Sequence, residues 1–255
     1  MVNNHKIVSL SIIYSGEISG GYNENNKVEL LSGKDYYETS LNGYKFTVSP
    51  FAFFQVNTVV FEKMLETVGE FAGIDEDTTL LDICCGTGAI GICLSKRAKK
   101  VVGVELLVSA VENAKANVSL NAELLESDKM QFVAGRAEET LAPIIAEASG
   151  KIIGIVDPPR SGLHGNVLKA LRTCKGLDRL VYVSCNASSQ VRDLQYLCYE
   201  IKGKRKAPPF KIVKAIGADL FPHTMHIESI VLLERDYEVW NEELVFNKLT
   251  YKIHS

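Results

Sequence analysis

Long hydrophobic runs, paired cysteines and an excess of positive charge are all missing from this 255-residue sequence. No stretch approaches the ~20 consecutive apolar residues that a membrane-spanning helix needs, and residues 1–6 do not begin a secretory signal. The six cysteines include no Cys-x-x-Cys and no histidine at zinc-ligand spacing, so we expect neither a disulfide framework nor a metal site. These absences predict an intracellular protein, cytoplasmic or nuclear, that does not enter a membrane.

The formal net charge of −3 argues against an extensive nucleic-acid surface. Contacts from Lys and Arg to phosphates supply most of the affinity for nucleic acids, so any RNA-binding surface here must be local or be supplied elsewhere. With 46% hydrophobic and 23% charged residues, the composition is that of an ordinary globular protein with one main core.

The residue pattern divides the chain into three parts. Residues 1–45 alternate apolar and polar side chains between glycines, which predicts β-hairpins forming a small appendage, part of a larger N-terminal or central region. Residues 46–235 predict the main domain, whose first helix should begin after Asn57 and end at Gly73. We expect residues 236–255 to form a tail that packs on this domain.

From residue 80 onward, strands alternate with helices, which is typical of an α/β fold. The predicted strands cover residues 80–84, 101–105, 130–133, 151–157, 179–185, 211–220 and 227–234. A short turn rather than a helix joins the last two, so the pattern predicts a mostly parallel sheet with an antiparallel edge strand. Ser109 and Glu112 form a capping-box pair that predicts the start of one helix.

A glycine-rich loop follows the first of these strands. Residues 86–91 match Gly-x-Gly-x-x-Gly and open a helix, and Glu105 ends the next strand, which is the context of a nucleotide-binding site. Glycine lets the backbone approach a ligand, and Glu105 could accept hydrogen bonds from ribose hydroxyls. Dinucleotides and S-adenosylmethionine both meet these requirements, so an oxidoreductase remains open at this point. Asp82 favours the methyl donor, because an acid would repel a pyrophosphate but suit a cationic methionine moiety.

Three further segments place reactive side chains at strand ends. Asp157 begins an Asp-Pro-Pro-Arg-Ser-Gly run, whose prolines stiffen the chain beside the ligand-binding edge of the sheet. Cys185 ends a buried strand within Ser-Cys-Asn, and Glu228 follows a turn that should return to the same face. Taken singly, these segments also fit a plain turn, a buried thiol and a solvated glutamate.

Taken together and in order, five segments resemble the RNA uracil-5-methyltransferases, with the strongest similarity to the animal members that modify tRNA. The resemblance covers roughly residues 45 to 235. The five segments are residues 49–57, 82–88, 157–160, 184–186 and 222–228. Two positions depart from the family pattern: Cys84 stands where many members have an aromatic residue, and Ala187 where most have proline.

The resemblance implies a Rossmann-like class I methyltransferase that uses S-adenosyl-L-methionine to form 5-methyluridine in tRNA, at uridine 54 of the T loop. It implies no DNA partner and no iron–sulfur centre. Larger members carry RNA-binding domains ahead of the catalytic part, so we expect this chain to be the catalytic part. The residues that it places in the methyl-donor pocket are Gln55, Gly86, Gly88, Glu105 and Asp157.

The same resemblance makes Cys185 the nucleophile and Glu228 the base. C5 of uracil is a poor nucleophile, and a thiolate added to C6 turns C5 into an enolate-like carbon that can accept a methyl group. A base must then remove the C5 proton so that the cysteine can leave.

Three alternatives stay open beside the oxidoreductase. An amino-group methyltransferase shares the pocket but has an aromatic residue after Pro-Pro, where Arg160 stands here. A cytosine-5 RNA methyltransferase shares the thiolate chemistry, since cytosine and uracil differ at position 4. A catalytically weak module that binds or folds tRNA would keep the pocket without needing Cys185 and Glu228.

Overall fold

The computed structural model describes residues 7–14, 27–50, 52–148, 150–199 and 207–238. The strands are β1 (Ser9–Tyr14), β2 (Lys27–Gly33), β3 (Tyr37–Leu41), β4 (Tyr44–Val48), β5 (Thr78–Ile83), β6 (Lys100–Glu105), β7 (Met130–Ala134), β8 (Lys151–Val156), β9 (Leu177–Ser184), β10 (Phe210–Ala218) and β11 (Glu228–Arg235). The helices are α1 (Thr58–Ala72), α2 (Ala89–Leu94), α3 (Val108–Leu120), α4 (Ala137–Glu147), α5 (Gly165–Thr173) and α6 (Ala187–Cys198).

Seven strands form the central sheet in the order β10-β11-β9-β8-β5-β6-β7. Strands β5 to β9 run parallel, and β11 runs antiparallel to both β9 and β10. This confirms the predicted α/β fold with antiparallel pairing at one edge. Because the chain proceeds from β5 to one side and later returns to its other side at β8, the crevice above β5 is a topological switch point, where α/β sheets bind ligands.

The central parallel strands β5, β8 and β9 are buried on both faces, as parallel strands usually are, whereas most of β10 at one edge is exposed. All six residues of β5 are buried, and its apolar side chains divide between two apolar clusters. Leu80 packs with α1 residues such as Phe61 on one face, while Leu81 packs with Leu168 of α5 on the other. No helix in the described ranges is long and apolar enough to cross a membrane.

Helix α1 has the ends that its sequence predicts. The Asn57 side chain accepts a hydrogen bond from the Val60 N–H, which satisfies one of the free donors at the helix start. Gly73 adopts a left-handed conformation (φ 60°) and its N–H bonds to the carbonyls of Gly69 and Glu70. Both predicted boundaries are confirmed.

The predicted capping box of α3 is wrong. The helix begins at Val108 with Leu107 at the N-cap position, so Ser109 already lies inside the first turn. Oε1 of Glu105 instead accepts hydrogen bonds from the N–H groups of Leu106 and Leu107, at 2.7 and 3.0 Å. The hydrogen-bond acceptor at the start of α3 is therefore Glu105, at the end of β6.

The first part of the chain forms two hairpins, β1–β2 and β3–β4. The second packs on the main domain, because Phe46 and Val48 are buried in its core. The N–H groups of Lys45 and Thr47 also bond to side-chain oxygens of Asn121 and Asn117 at 2.8 and 2.9 Å. The expected boundary near residue 45 falls within β4, and most of the expected tail, residues 239–255, lies outside the described residues.

Candidate active site

A large cleft lies at the carboxyl ends of β5, β6, β8 and β9. Its volume of about 1540 Å³ is larger than that of a pocket that typically holds a single drug-sized ligand. It therefore has room for a nucleoside-sized donor together with part of a second substrate. Six of the seven residues that the sequence analysis assigned to the site line this cleft: Gln55, Gly86, Glu105, Asp157, Cys185 and Glu228.

The seventh residue, Gly88, supports the cleft from behind. Gly86 and Gly88 both adopt left-handed conformations, with φ of 53° and 79°. A Cβ at Gly86 would meet nothing within 4 Å, so the backbone there is open to a ligand. A Cβ at Gly88 would lie 2.9 Å from the Phe132 ring, so this glycine is needed for packing at the start of α2.

Cys84 also has a left-handed backbone, with φ of 62°, which is unusual for a residue with a side chain. Its N–H bonds to the Val104 carbonyl at 2.9 Å, and its side chain lines the cleft. Burial first, and then the charges of Glu105 and Asp157, raise the pKa of this thiol to about 12. Cys84 is therefore a neutral thiol in the cleft wall at neutral pH.

Glu105 is fixed at the cleft wall by backbone donors. Its Oε2 accepts from the Gly86 N–H at 3.1 Å, and its Oε1 accepts from two N–H groups that precede α3. Oε2 keeps a further lone pair, so the group can still accept a hydrogen bond from a ribose hydroxyl. This geometry suits the ribose-binding role expected from its position.

Asp82 does not reach the cleft wall, contrary to the interpretation of the sequence. It is fully buried, and its Oδ2 accepts from the Gly91 N–H at 2.8 Å, joining β5 to α2. Burial, reinforced by the charges of Asp157 and Glu105, raises the pKa of Asp82 to about 7. The carboxyl group holds the strand–helix junction rather than facing a ligand.

Gln55 presents a buried polar atom to the cleft. The residue is only 5% exposed, and its Oε1 has no hydrogen-bond partner among the described residues. A buried polar atom without a partner costs free energy, so such an atom in a cleft wall indicates a ligand that satisfies it. The neighbouring Phe54 is held by its ring contact with Phe46, at 5.4 Å between centroids.

Strand register brings Cys185 and Glu228 together. Ser184, the last residue of β9, pairs with Ser229 of β11 in antiparallel register. The adjoining residues, Cys185 and Glu228, therefore face each other across the ends of the two strands. Both line the cleft, where the thiol is partly exposed and the glutamate is 2% exposed.

Two carboxyl groups beside this thiol have raised pKa values. Burial raises the pKa of Asp157 to about 6. Burial, and then the charge of Asp157, raise the pKa of Glu228 to about 7, close to the value at which a general base works best at neutral pH. Oε2 of Glu228 has no hydrogen-bond partner in the described part of the chain, so it is available to take a proton.

Arg160 is a functional candidate that the sequence analysis did not assign. Burial, and then the charge of Glu228, raise the pKa of the Cys185 thiol above its ordinary value, and a hydrogen bond and charge from the Arg160 guanidinium offset part of this rise. A cation beside a thiol favours the thiolate, which is the nucleophilic form. The Asp-Pro-Pro-Arg motif could have indicated Arg160 as a site residue, since this arginine lies three residues after Asp157.

The fold and cleft define a Rossmann-like class I methyltransferase architecture, and comparison with known proteins narrows this to one family. The chain matches the tRNA (Uracil-5-)-methyltransferase family over residues 23–236. It is 38% identical over 230 residues to the tRNA (uracil-5-)-methyltransferase homolog A of Mus musculus, covering 90% of this chain and 37% of that protein. It is 40% identical over 217 residues to homolog B of Danio rerio, covering 83% of this chain and 44% of that protein. The chain belongs to the tRNA (uracil-5-)-methyltransferase family.

Solved structures agree with this assignment. The Pyrococcus abyssi tRNA (uracil-54, C5)-methyltransferase, in complex with S-adenosyl-L-homocysteine, superposes with a TM-score of 0.65. It is 29% identical in sequence, and the match covers 88% of this chain and 50% of that one. A tRNA m1G37 methyltransferase from M. jannaschii shares the fold at 15% identity, with a TM-score of 0.55. The chain spans less than half the length of the two curated relatives named above.

Proposed function

We propose that this chain is the catalytic part of an S-adenosylmethionine-dependent methyltransferase that converts a uridine of tRNA to 5-methyluridine through a cysteine adduct. The observation that carries the proposal is the opposition of Cys185 and Glu228 in one cleft, with Arg160 beside the sulfur. A nucleophile and a base on neighbouring strand ends are the two groups that C5 methylation requires.

Cys185 is the nucleophile in this proposal. Its sulfur, as thiolate, forms a bond to C6 of the uracil ring, and the electron pair displaced from the C5–C6 double bond makes C5 nucleophilic. C5 takes the methyl group and thus becomes tetrahedral. The target base must leave its RNA stack to reach a thiol at this depth, as in other enzymes that modify bases.

Glu228 is the base. It removes the C5 proton, the electron pair re-forms the C5–C6 double bond, and the C6–sulfur bond breaks to return the Cys185 thiolate. The environment of Glu228 suits this role, since its raised pKa leaves a substantial ionised fraction at neutral pH while giving the proton a strong acceptor. Its buried position also keeps bulk water away from the proton transfer.

The cleft wall fits S-adenosyl-L-methionine, which supplies an electrophilic methyl group when bound. Glu105 is oriented to accept hydrogen bonds from the ribose, and the open backbone at Gly86 permits close approach. Gln55 offers an unpaired oxygen, and Asp157 lines the same wall. Gly88 contributes by closing the packing beneath the loop.

Uridine 54 in the T loop is the proposed target nucleotide. The support is the similarity to the Pyrococcus abyssi enzyme named for that position, together with the family match. The family assignment also removes the support for an oxidoreductase or an amino-group methyltransferase. Cytosine-5 methylation and a catalytically weak tRNA-binding module are outcomes that the following experiment can detect.

The test is adduct formation with tRNA in which uridine is replaced by 5-fluorouridine. Glu228 cannot abstract fluorine, so a covalent protein–RNA complex should accumulate and survive denaturing electrophoresis. The complex should require both S-adenosylmethionine and Cys185, and mass spectrometry of the cross-linked nucleotide should identify position 54.

Variants give the experiment its controls. Cys185→Ala should abolish the complex, and Cys174→Ala, which alters a partly exposed cysteine at the end of α5, should leave it unchanged. Glu228→Gln should trap an adduct on unsubstituted tRNA, because proton removal is blocked. Binding of tRNA without any complex would instead support a non-catalytic module, and a complex with 5-fluorocytidine RNA alone would support a cytosine-5 enzyme.

A further inference from the structure

The segment that carries Arg160 is bound to helix α6 by its backbone. The Arg160 carbonyl accepts a hydrogen bond from Asn186 Nδ2 at 2.9 Å, and the Ser161 carbonyl accepts one from Arg192 Nη2 at 2.7 Å. The Leu163 N–H donates to Asp193 Oδ2 at 2.7 Å. Three backbone anchors, at Arg160, Ser161 and Leu163, therefore fix this segment against a helix that begins two residues after Cys185.

Asp193 is the centre of these anchors. It is fully buried, and its Oδ2 accepts from both the Leu163 N–H and the Tyr182 hydroxyl, the latter at 2.6 Å. Its Oδ1 accepts from Nε and Nη2 of Arg192, at 3.1 and 2.9 Å. One carboxylate thus joins β9, α6 and the segment that follows Asp157.

Packing at Gly162 leaves this segment no room to shift toward the helix. Gly162 has a left-handed backbone (φ 79°), and a Cβ there would lie 2.6 Å from Asp193 Oδ2. Tyr182, which is fully buried in β9, approaches the same carboxylate from the sheet. Asp193 and Tyr182, neither of which lines the cleft, therefore help to fix the position of the Arg160 backbone.

The position of Arg160 matters because it opposes the effects that suppress thiolate formation. Burial and Glu228 both favour the neutral thiol of Cys185, and Arg160 is the cation that favours the thiolate. A cation contributes this effect only at short range, since the interaction energy falls with distance and with intervening water. A displacement of the Arg160 segment would thus reduce the reactivity of a cysteine that itself had not moved.

We propose that Asp193 and Tyr182 are positioning residues that hold the Arg160 segment against Cys185 and thereby keep this cysteine reactive. The inference rests on the proposed role of Cys185 as the nucleophile. It extends the reactive centre to a buried carboxylate–phenol pair behind the cleft wall, since neither Asp193 nor Tyr182 lines the cleft.

The test measures the reactivity of Cys185 without RNA or donor. The rate of Cys185 alkylation by iodoacetamide is followed by peptide mass spectrometry from pH 6 to 10. Arg160→Gln should shift the profile to higher pH and slow alkylation at pH 7.5 about tenfold, which corresponds to one pKa unit. Tyr182→Phe and Asp193→Asn should shift it in the same direction, and Arg160→Lys should restore part of the wild-type rate.

A double variant separates positioning from a general loss of structure. If Tyr182 acts through Arg160, the variant carrying both Arg160→Gln and Tyr182→Phe should react no more slowly than Arg160→Gln alone. Tyr237→Phe is the matched control, since it removes a tyrosine–aspartate hydrogen bond of 2.5 Å to Asp178 at the opposite end of β9. Its alkylation profile should equal that of the wild type.

Several results would overturn the proposal. An unchanged profile in Tyr182→Phe, even with lowered thermal stability, would make the pair purely structural, as would effects that add to that of Arg160→Gln. Tyr182→Phe keeps the ring, so it decides the question if Asp193→Asn fails to fold. Shifted profiles in a protein that forms no fluorouridine adduct would refute the proposed function and leave the positioning role standing.

Discussion

Three carboxyl groups at the carboxyl edge of the sheet, Asp82, Asp157 and Glu228, have pKa values raised mainly by burial. Each takes up a proton more readily in the folded chain than in the unfolded chain. Only Asp157 and Glu228 line the cleft, where such tuning serves chemistry. At Asp82 the same effect is a cost to stability that accompanies its hydrogen bond to the Gly91 N–H.

The raised pKa of Asp82 determines how the free energy of unfolding depends on pH. The pKa of Asp82 is about 7 in the folded chain, against an ordinary value of 3.8. Between these two values the native state binds more protons than the unfolded state, so the free energy of unfolding decreases as the pH rises through this window. The contribution that is present below pH 3.8 is lost by about pH 7.

Asp82→Asn should remove a large part of this pH dependence. The whole loss between pH 3.8 and about pH 7 is on the order of 4 kcal/mol, of which the part above pH 5 is roughly 3 kcal/mol at 1.4 kcal/mol per pH unit. We expect the variant to be less sensitive than the wild type to a change from pH 5 to pH 8, as measured by urea unfolding at both values. Glu76→Gln, which changes an exposed carboxyl group just before β5, should retain the wild-type difference. Equal pH sensitivity of Asp82→Asn and the wild type would contradict this account.

The sequence predicted the cleft residues better than the contacts behind them. Gln55, Gly86, Asp157, Cys185 and Glu228 belong to the five segments whose residue types and order are distinctive, and all five line the cleft. Their roles remain predictions, because those depend on ligands. The Arg160–Cys185 contact and the bonds of Asp193 join residues far apart in the chain, and no local pattern encodes such pairs.

At the scale of elements, Arg235 joins three parts of the chain at the end of β11. It is buried, and its guanidinium donates to the carbonyls of Leu171, Arg172, Cys174, Leu177 and Pro208 at 2.7 to 3.0 Å. It also lies over the Phe210 ring at 3.8 Å. The carbonyls at the end of α5 thereby receive a positive charge, which the helix dipole favours.

Arg235→Met should therefore destabilise the fold by about 3–5 kcal/mol, because it leaves several buried carbonyl groups without donors. Arg235→Lys should fall between this variant and the wild type, since an ammonium group cannot reproduce the planar fork of five N–H donors. Urea unfolding of the three proteins gives the comparison. The control is Arg179→Met, which removes a partly exposed arginine paired with Glu234 and should cost about 1 kcal/mol. Similar losses in Arg235→Met and Arg179→Met would refute this role.

Helix boundaries show where pattern reasoning succeeds and where it fails. Asn57 and Gly73 end α1 as predicted, because each boundary depends on one residue's own hydrogen bond or backbone angle. The start of α3 was placed wrongly, because the acceptor there is Glu105, three residues before the helix begins. A carboxylate at the end of a strand, here Glu105, can thus accept the hydrogen bonds that a capping residue within the helix sequence would otherwise accept.

At the scale of the whole molecule, the alternation of strands and helices was sufficient to predict the sheet and its antiparallel strands. Apolar side chains recur with period 2 in strands and period 3.6 in helices because one face of each element is buried. In this fold the buried side chains form two apolar clusters, one on each face of the sheet. The order of strands could be inferred only through general rules for parallel crossovers. The docking of the β3–β4 hairpin on α3 depends on Asn117 and Asn121, polar residues whose partners the sequence does not indicate.

Net charge allows one further prediction at this scale. The chain has 28 basic and 31 acidic residues, so its attraction to RNA should be confined to the neighbourhood of the cleft. We expect weak binding of tRNA by this chain, with a small slope of log affinity against log salt, because few phosphates are neutralised. Fluorescence anisotropy between 50 and 200 mM salt measures the slope.

One arginine variant and one lysine variant test which positive charges attract RNA. Arg136 lines the cleft after β7, so Arg136→Gln should reduce the slope by about one if its guanidinium meets a phosphate. Lys99 precedes β6 at the opposite edge of the sheet, and Lys99→Gln should leave the slope unchanged. Equal effects of the two variants would mean that RNA is attracted by the protein's overall field rather than at the cleft. A steep slope that neither variant alters would place the phosphate contacts on a different surface and separate RNA recognition from the reactive centre.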